Sequence, residues 1–217
     1  MAQSRRRGTW IAVAVGVVLV AGLAFAGGRF TTFGALADAS GADGGPNAAD
    51  AGFARDMQVH HAQAVEMAMI EYRGTDDDEL RSLAYDIATA QSAQRGEMFG
   101  WLVEWDLPQA GDPLMSWMAD AGHAHGSGAA TTAELEAQMG MATDAELTRL
   151  AQLDGAGQDC LFLDLMIRHH TGAIDMTDAV VRLGSVPRVL ETARNMGQAQ
   201  TAEIAAMESA QRRLGCS

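Results

Sequence analysis

The stretch Phe53-Ala54-Arg55-Asp56-Met57-Gln58-Val59-His60-His61-Ala62-Gln63-Ala64-Val65-Glu66-Met67 decides the fold, because it returns 109 residues later. The second copy is Phe162-Leu163-Asp164-Leu165-Met166-Ile167-Arg168-His169-His170-Thr171-Gly172-Ala173-Ile174-Asp175-Met176. Phenylalanine, the two outer methionines, the histidine pair and one alanine coincide, while most of their neighbours differ. The same shift lays Ala84, Gln91, Ala93 and Met98 on Ala193, Gln200, Ala202 and Met207. Identity confined to spaced positions marks an internal duplication rather than low complexity.

Each copy has helical spacing. Phe53, Met57, His60, His61, Ala64, Met67 and Ala68 fall on one stripe of a 3.6-residue period. Gly74 ends this helix, and Thr75 with Asp76, Asp77 and Asp78 opens a second one that runs to about Trp105, before Leu107-Pro108. Ala84, Ile87, Gln91, Gln94 and Met98 share its inner face. In the second copy Gly184 closes the first helix, Ser185-Val186-Pro187 starts the next, and Ala193, Met196, Gln200, Glu203 and Met207 form the inner stripe. The expected architecture is all-α: two tandem helical hairpins packed into a four-helix bundle. Its domain spans 51–217, with repeat one at 51–107, a crossover at 108–156 and repeat two at 157–214. The crossover begins glycine-rich and then carries two capping boxes, Thr131–Glu134 and Thr143–Glu146. Its length is what a parallel placement of the two hairpins is expected to need.

Upstream, Arg5-Arg6-Arg7 precede an uncharged run from Gly8 to Gly28, long enough at about 1.5 Å per residue to cross a bilayer. Residues 1–28 therefore read as a transmembrane anchor with a cytoplasmic N-terminus and an extracytoplasmic bundle. The alternative is a signal peptide cleaved after Ala24-Phe25-Ala26, which would release a secreted protein. Residues 29–50, rich in Gly, Ala, Asp and Ser, read as a flexible tether. The 217-residue chain has a net charge of −13, and without the three arginines about −16. Such a domain repels nucleic acid and attracts cations.

The chemistry lies in the repeated stripes. An adjacent histidine pair on a buried face needs polar partners, so His60, His61, His169 and His170 are candidate metal ligands together with Met57, Met67, Met166 and Met176. Glu66 and Asp175 occupy equivalent positions and are candidates to hydrogen-bond a ligating imidazole. Thioether with imidazole suits Cu(I); imidazole alone would suit Cu(II) or Zn(II). A carboxylate-bridged di-iron centre would need Glu-x-x-His, which occurs nowhere in the sequence. Met115, Met118, His123 and His125 form a weaker candidate set in the glycine-rich crossover. No nucleophile motif, phosphate loop or Cys-x-x-Cys is present. Cys160 and Cys216 sit at the two open ends of the second hairpin, so a disulfide between them is expected in an exported protein.

The two His-His stretches, and Met139-Gly140-Met141-Ala142-Thr143-Asp144-Ala145-Glu146-Leu147 before the second, resemble the family catalogued as domain of unknown function 305. The resemblance covers about residues 50–213. It implies a ferritin-like bundle, usually exported, some of whose members bind copper. The resulting expectation is a non-enzymatic copper-binding protein that buffers or hands over copper at the outer membrane face. The alternatives are a metal-free scaffold whose stripes are core packing, and a metal-dependent oxidoreductase on the same bundle.

Overall fold

In the computed structural model, residues 45–121 and 131–216 are described, and these contain six α-helices and no strand. Helices α1 (Ala48–Gly74) and α2 (Asp78–Glu104) form one hairpin, and α5 (Gly155–Leu183) and α6 (Pro187–Leu214) the other. Between them run a 3-10 turn at Ser116–Ala121 and the short helices α3 (Thr132–Gln138) and α4 (Asp144–Gln152). The expected span at 8–28 lies outside the described residues, as do His123 and His125. Among the described residues, no helix is long and apolar enough to cross a membrane.

Local chemistry sets the helix ends. Asn47 and Asp50 form a reciprocal capping box, so α1 begins inside the segment expected to be tether. Thr75 closes α1 rather than opening α2, whose N-cap is Asp77, with its carboxylate accepting from the Leu80 amide. Both expected capping boxes form, Thr131 with Glu134 and Thr143 with Glu146. Pro187 starts α6, where its missing N–H costs nothing.

The crossover was expected to set the hairpins parallel; they are antiparallel instead. Asn47, at the start of α1, donates to the carbonyl of Leu183 at the end of α5 (2.8 Å). Gln158, near the start of α5, donates to Ile70 near the end of α1 (3.2 Å). The outer helices run opposite too: Arg213 pairs with Asp77, and Arg188 with Glu104. The physical reason is simple. A short loop after α2 would start α5 at the same end of the bundle, whereas the long crossover carries the chain to the far end.

An antiparallel pair of repeats exchanges its outer methionines. Met57, Met98 and Met176 belong to one core cluster with Phe53, Leu102 and Met196. Their counterparts Met166, Met207 and Met67 belong to the other, with Phe162, Ile87 and Leu150. Each cluster is therefore built from both repeats, and the histidines lie along the helices between them. Met115 and Met118 are buried in the first cluster, beside Trp117. Asp56 holds this part of the crossover in place, accepting from the Met115 amide (2.7 Å) and the Trp117 indole (2.9 Å). Cys160 and Cys216 are joined by a disulfide, with Cα atoms 5.4 Å apart, linking the start of α5 to the end of α6.

Two further buried carboxyl sites differ sharply. Asp50 is saturated by the α5–α6 turn, accepting from the Ser185 amide and hydroxyl and from Val186. Its repeat counterpart, Asp159, instead neighbours Glu71, which stands where the second repeat has Val180. Glu71 is fully buried with neither carboxyl oxygen paired, and one oxygen of Asp159 is unpaired as well. Burial first, then the Asp159 carboxyl, push the Glu71 pKa up to about 8.

Candidate metal centre

Helix geometry places the histidines before any metal is considered. His60 and His61 are neighbours, so their side chains diverge by about 100°. His60 points across the bundle toward α5, and His61 toward α2. The antiparallel repeat does the same from the other side. As a result His60 and His169 meet at the centre, their ring centroids 3.6 Å apart and their planes tilted by 31°. His61 and His170 lie on opposite flanks, each 6.3 Å from its neighbour's ring. All four side chains are fully buried.

Each imidazole is oriented through its Nε2 atom. That atom in His60 lies 2.9 Å from the carbonyl oxygen of Met139, and in His169 3.0 Å from that of His60. On the flanks, Nε2 of His61 lies 2.8 Å from Gln94 Oε1 and that of His170 2.7 Å from Glu203 Oε2. Carbonyl and carboxylate oxygens only accept, so all four Nε2 atoms carry the proton and donate. In a neutral ring so oriented the Nδ1 atom is a bare lone pair. All four Nδ1 atoms are buried and have no hydrogen-bond partner. One unpaired buried acceptor is uncommon, and four at matched positions describe a donor set for something else.

The crossover supplies one of these anchors. The segment Met139–Ala142 lies against α5 where Gly172 leaves room, since a Cβ there would collide with the Met139 carbonyl. Gly140, at φ +71, turns the chain at this point, and a side chain on it would strike the Arg168 carbonyl. Gln63, the repeat counterpart of Gly172, clamps the strap from α1, donating to Ala142 O (2.9 Å) and accepting from Ala142 N (2.6 Å). The strap thus holds the Met139 carbonyl on His60.

Burial favours the neutral form of His60, His61 and His169. It drives the pKa of His60 down to about 4 and that of His61 to about 3, with neighbouring histidines adding to the second shift. His169 is lowered well below the ordinary value, first by burial and then by the other three histidines. Neutral imidazole is the form that binds metal. For these three rings the ligating state therefore extends below the pH 6.5 region expected for an ordinary histidine.

Glu66 and Asp175 do not take the role anticipated for them. Both are exposed on the outer faces of α1 and α5. They follow the flank histidines by five residues, a turn of about 140°, and so face away from the rings. The imidazole partners are Gln94 and Glu203, which belong to the inner stripes of α2 and α6, a carbonyl of the crossover and the carbonyl of His60. Met57, Met67, Met166 and Met176 are fully buried. Met115 and Met118 are core residues, not part of a glycine-rich loop site. Among the described residues no three His, Cys, Asp or Glu side chains come together as a metal cage. The donors available are imidazole nitrogens and, in the two core clusters, the buried thioethers of Met57, Met67, Met166 and Met176, donor types that a soft ion accepts.

Comparison with known proteins agrees on the fold. The family described as "Domain of unknown function (DUF305)" matches residues 50–211. A DUF305 protein from Streptomyces coelicolor, described as a putative secreted protein, is 43% identical with a TM-score of 0.68, covering 78% of this chain and 94% of its own. A DUF305 fragment from Deinococcus radiodurans is 30% identical with a TM-score of 0.66, covering 78% and 99%. CopM in its Cu(II)-bound form is 25% identical with a TM-score of 0.58, covering 76% and 96%. No curated protein matches the chain.

Proposed function

The chain belongs to the DUF305 family, and from that premise and the geometry of its histidines we propose that it binds copper, Cu(I) in preference to Cu(II) or Zn(II). The observation that carries this reading is the set of four buried, unpartnered Nδ1 atoms, each fixed by a donated Nε2–H. A metal-free core would gain nothing from four orphaned acceptors, and exchanging them for apolar side chains would be less costly. Met57, Met67, Met166 and Met176 add thioethers that Cu(I) accepts and Zn(II) does not. The Cu(II)-bound form of CopM supports copper as the metal for this fold.

The role we infer is binding and buffering of copper, or tolerance to it, outside the cytoplasm. The bundle would be held at the membrane by residues 1–28 or released by cleavage after Ala26. A disulfide between the only two cysteines fits an oxidising compartment. We read the centre as that of a binding protein.

Competition of the full chain against a Cu(I) chelator tests the proposal. Changing the four methionines to leucine should weaken Cu(I) by tenfold or more while Zn(II) binding barely moves, because volume and apolarity are kept. In parallel, 15N spectra of the histidine side chains should show Nδ1 resonances shifting on addition of Ag(I), a diamagnetic stand-in for Cu(I). A wild-type chain that binds neither ion, or binds both with all four Nδ1 resonances unmoved, removes the copper reading of the bundle.

A further inference from the structure

The duplication aligns the two flanks of the histidine layer residue by residue, and at one place they differ in charge. His61 is anchored by Gln94, an amide, and His170 by Glu203, a carboxylate. The next residue differs as well: Arg95 follows Gln94, whereas Ile204 follows Glu203. Arg95 is exposed, and its charge is the smallest of the influences on His61, after burial, His60, Gln94 and His170. One flank is thus backed by an amide, and the other by a carboxylate. His61 and His170 are both fully buried, so a charge brought to either Nδ1 is poorly screened.

We propose that Glu203 makes the two flanks inequivalent, so that a univalent soft cation loads the His170 flank first and the His61 flank second. The inference rests on the metal reading above and adds order to it. A cation on His170 Nδ1 forms a locally neutral assembly with the carboxylate that holds Nε2. The same cation on His61 Nδ1 has no carboxylate behind the ring to compensate it. The carboxylate also strengthens the imidazole as a donor by polarising its Nε2–H, the usual effect of a carboxylate behind a ligating histidine. Glu203 is thereby a positioning residue: it touches the imidazole and not the ion. Its side chain is about one-quarter exposed, so the charge can sit there without a buried counter-ion when the site is empty.

The test is a titration of the full chain with Ag(I), read by 15N shifts of the individual histidine side chains and by competition for overall affinity. In wild type, His170 Nδ1 should move in the first step and His61 Nδ1 in the second. Glu203→Gln should weaken the first step by about ten- to hundredfold and remove the order. Gln94→Glu should tighten the His61 flank by a similar factor, a gain that a merely structural role for residue 94 would not produce. Glu203→Asp should retain the order. If both flanks of the wild type load together, or if Glu203→Gln remains folded and keeps the order, the proposal is overturned while the metal reading stands. If no histidine responds to Ag(I), both fall.

Discussion

Glu71 offers a sharp test of the packing at the far end of the bundle. Its carboxyl is fully buried and unpaired, and its pKa is raised from 4.5 to about 8. A raised carboxyl pKa means that the folded chain keeps a proton which the unfolded chain has already released. Its contribution to stability therefore drains away as pH rises from 4.5 toward 8. Each pH unit in that window costs about 1.4 kcal/mol, which amounts to about 4 kcal/mol between roughly pH 5 and pH 9. Glu71→Gln retains the shape but has no proton to lose. The difference in unfolding free energy, variant minus wild type, should then grow by about 4 kcal/mol across that range. Urea unfolding of the disulfide-intact chain at several pH values measures it, and groups common to both proteins cancel in the difference. Asp159→Asn should reduce the slope without abolishing it, because burial is the larger cause. A difference that stays constant within about 1 kcal/mol from pH 5 to 9 would refute the account of Glu71 as a protonated core residue.

The histidines act with the opposite sign. His60 and His61 are held neutral to about pH 4 and 3, so the unfolded chain gains protons that the folded one refuses, and stability falls as pH drops below about 6.5. On protein that is still folded, the response of His60 and His61 Nδ1 to Ag(I) at pH 5.5 should stay close to that at pH 7; a decline following an ordinary histidine titration would count against their buried, neutral state. Replacing Cys160 and Cys216 with alanine opens a loop of 56 residues and should lower stability by up to about 4 kcal/mol in thermal or urea unfolding; a loss under about 1 kcal/mol would mean that the bridge constrains little. Gly172→Ala should destabilise by about 2 kcal/mol or more, since its Cβ meets the Met139 carbonyl, and should loosen His60. Gly96→Ala, where the added methyl meets open space, should instead stabilise by up to about 1 kcal/mol. Equal effects at the two glycines would contradict the strap.

Much of the fold was legible because it repeats. The 109-residue shift identified the helices, and the period of Phe53, Met57, His60 and Met67 identified their inner faces. The relative direction of the hairpins was not legible, because a duplication says which residues correspond and not how the copies face each other. The pairing of Met57 with Met176 follows only once that direction is known. The imidazole partners were half visible: Gln94 and Glu203 stood on the inner stripes, but sequence proximity drew attention to Glu66 and Asp175, which point outward. The Met139 carbonyl left no signal in side-chain chemistry; the nearest trace was Gly140 in the stretch preceding the second copy. Glu71 carries no local mark of its burial; the one trace in the sequence is that the 109-residue shift sets it opposite Val180.

The exchange of methionines between repeats has a consequence for how such a centre could arise. Neither hairpin alone holds a full core cluster or a stacked histidine pair, so an unduplicated hairpin could complete both only by pairing with a second copy of itself. In such a homodimer the two-fold axis would pass between the stacked rings, and every residue on one flank would be copied on the other. Fusion through the crossover makes the encounter intramolecular, so the centre no longer depends on protein concentration. It also removes the constraint of identity. Only in a fused chain can one flank carry Glu203 while the other keeps Gln94, or one end bury Glu71 while the other buries Val180. Joining the copies is what allowed the two halves of one centre to drift into different tasks.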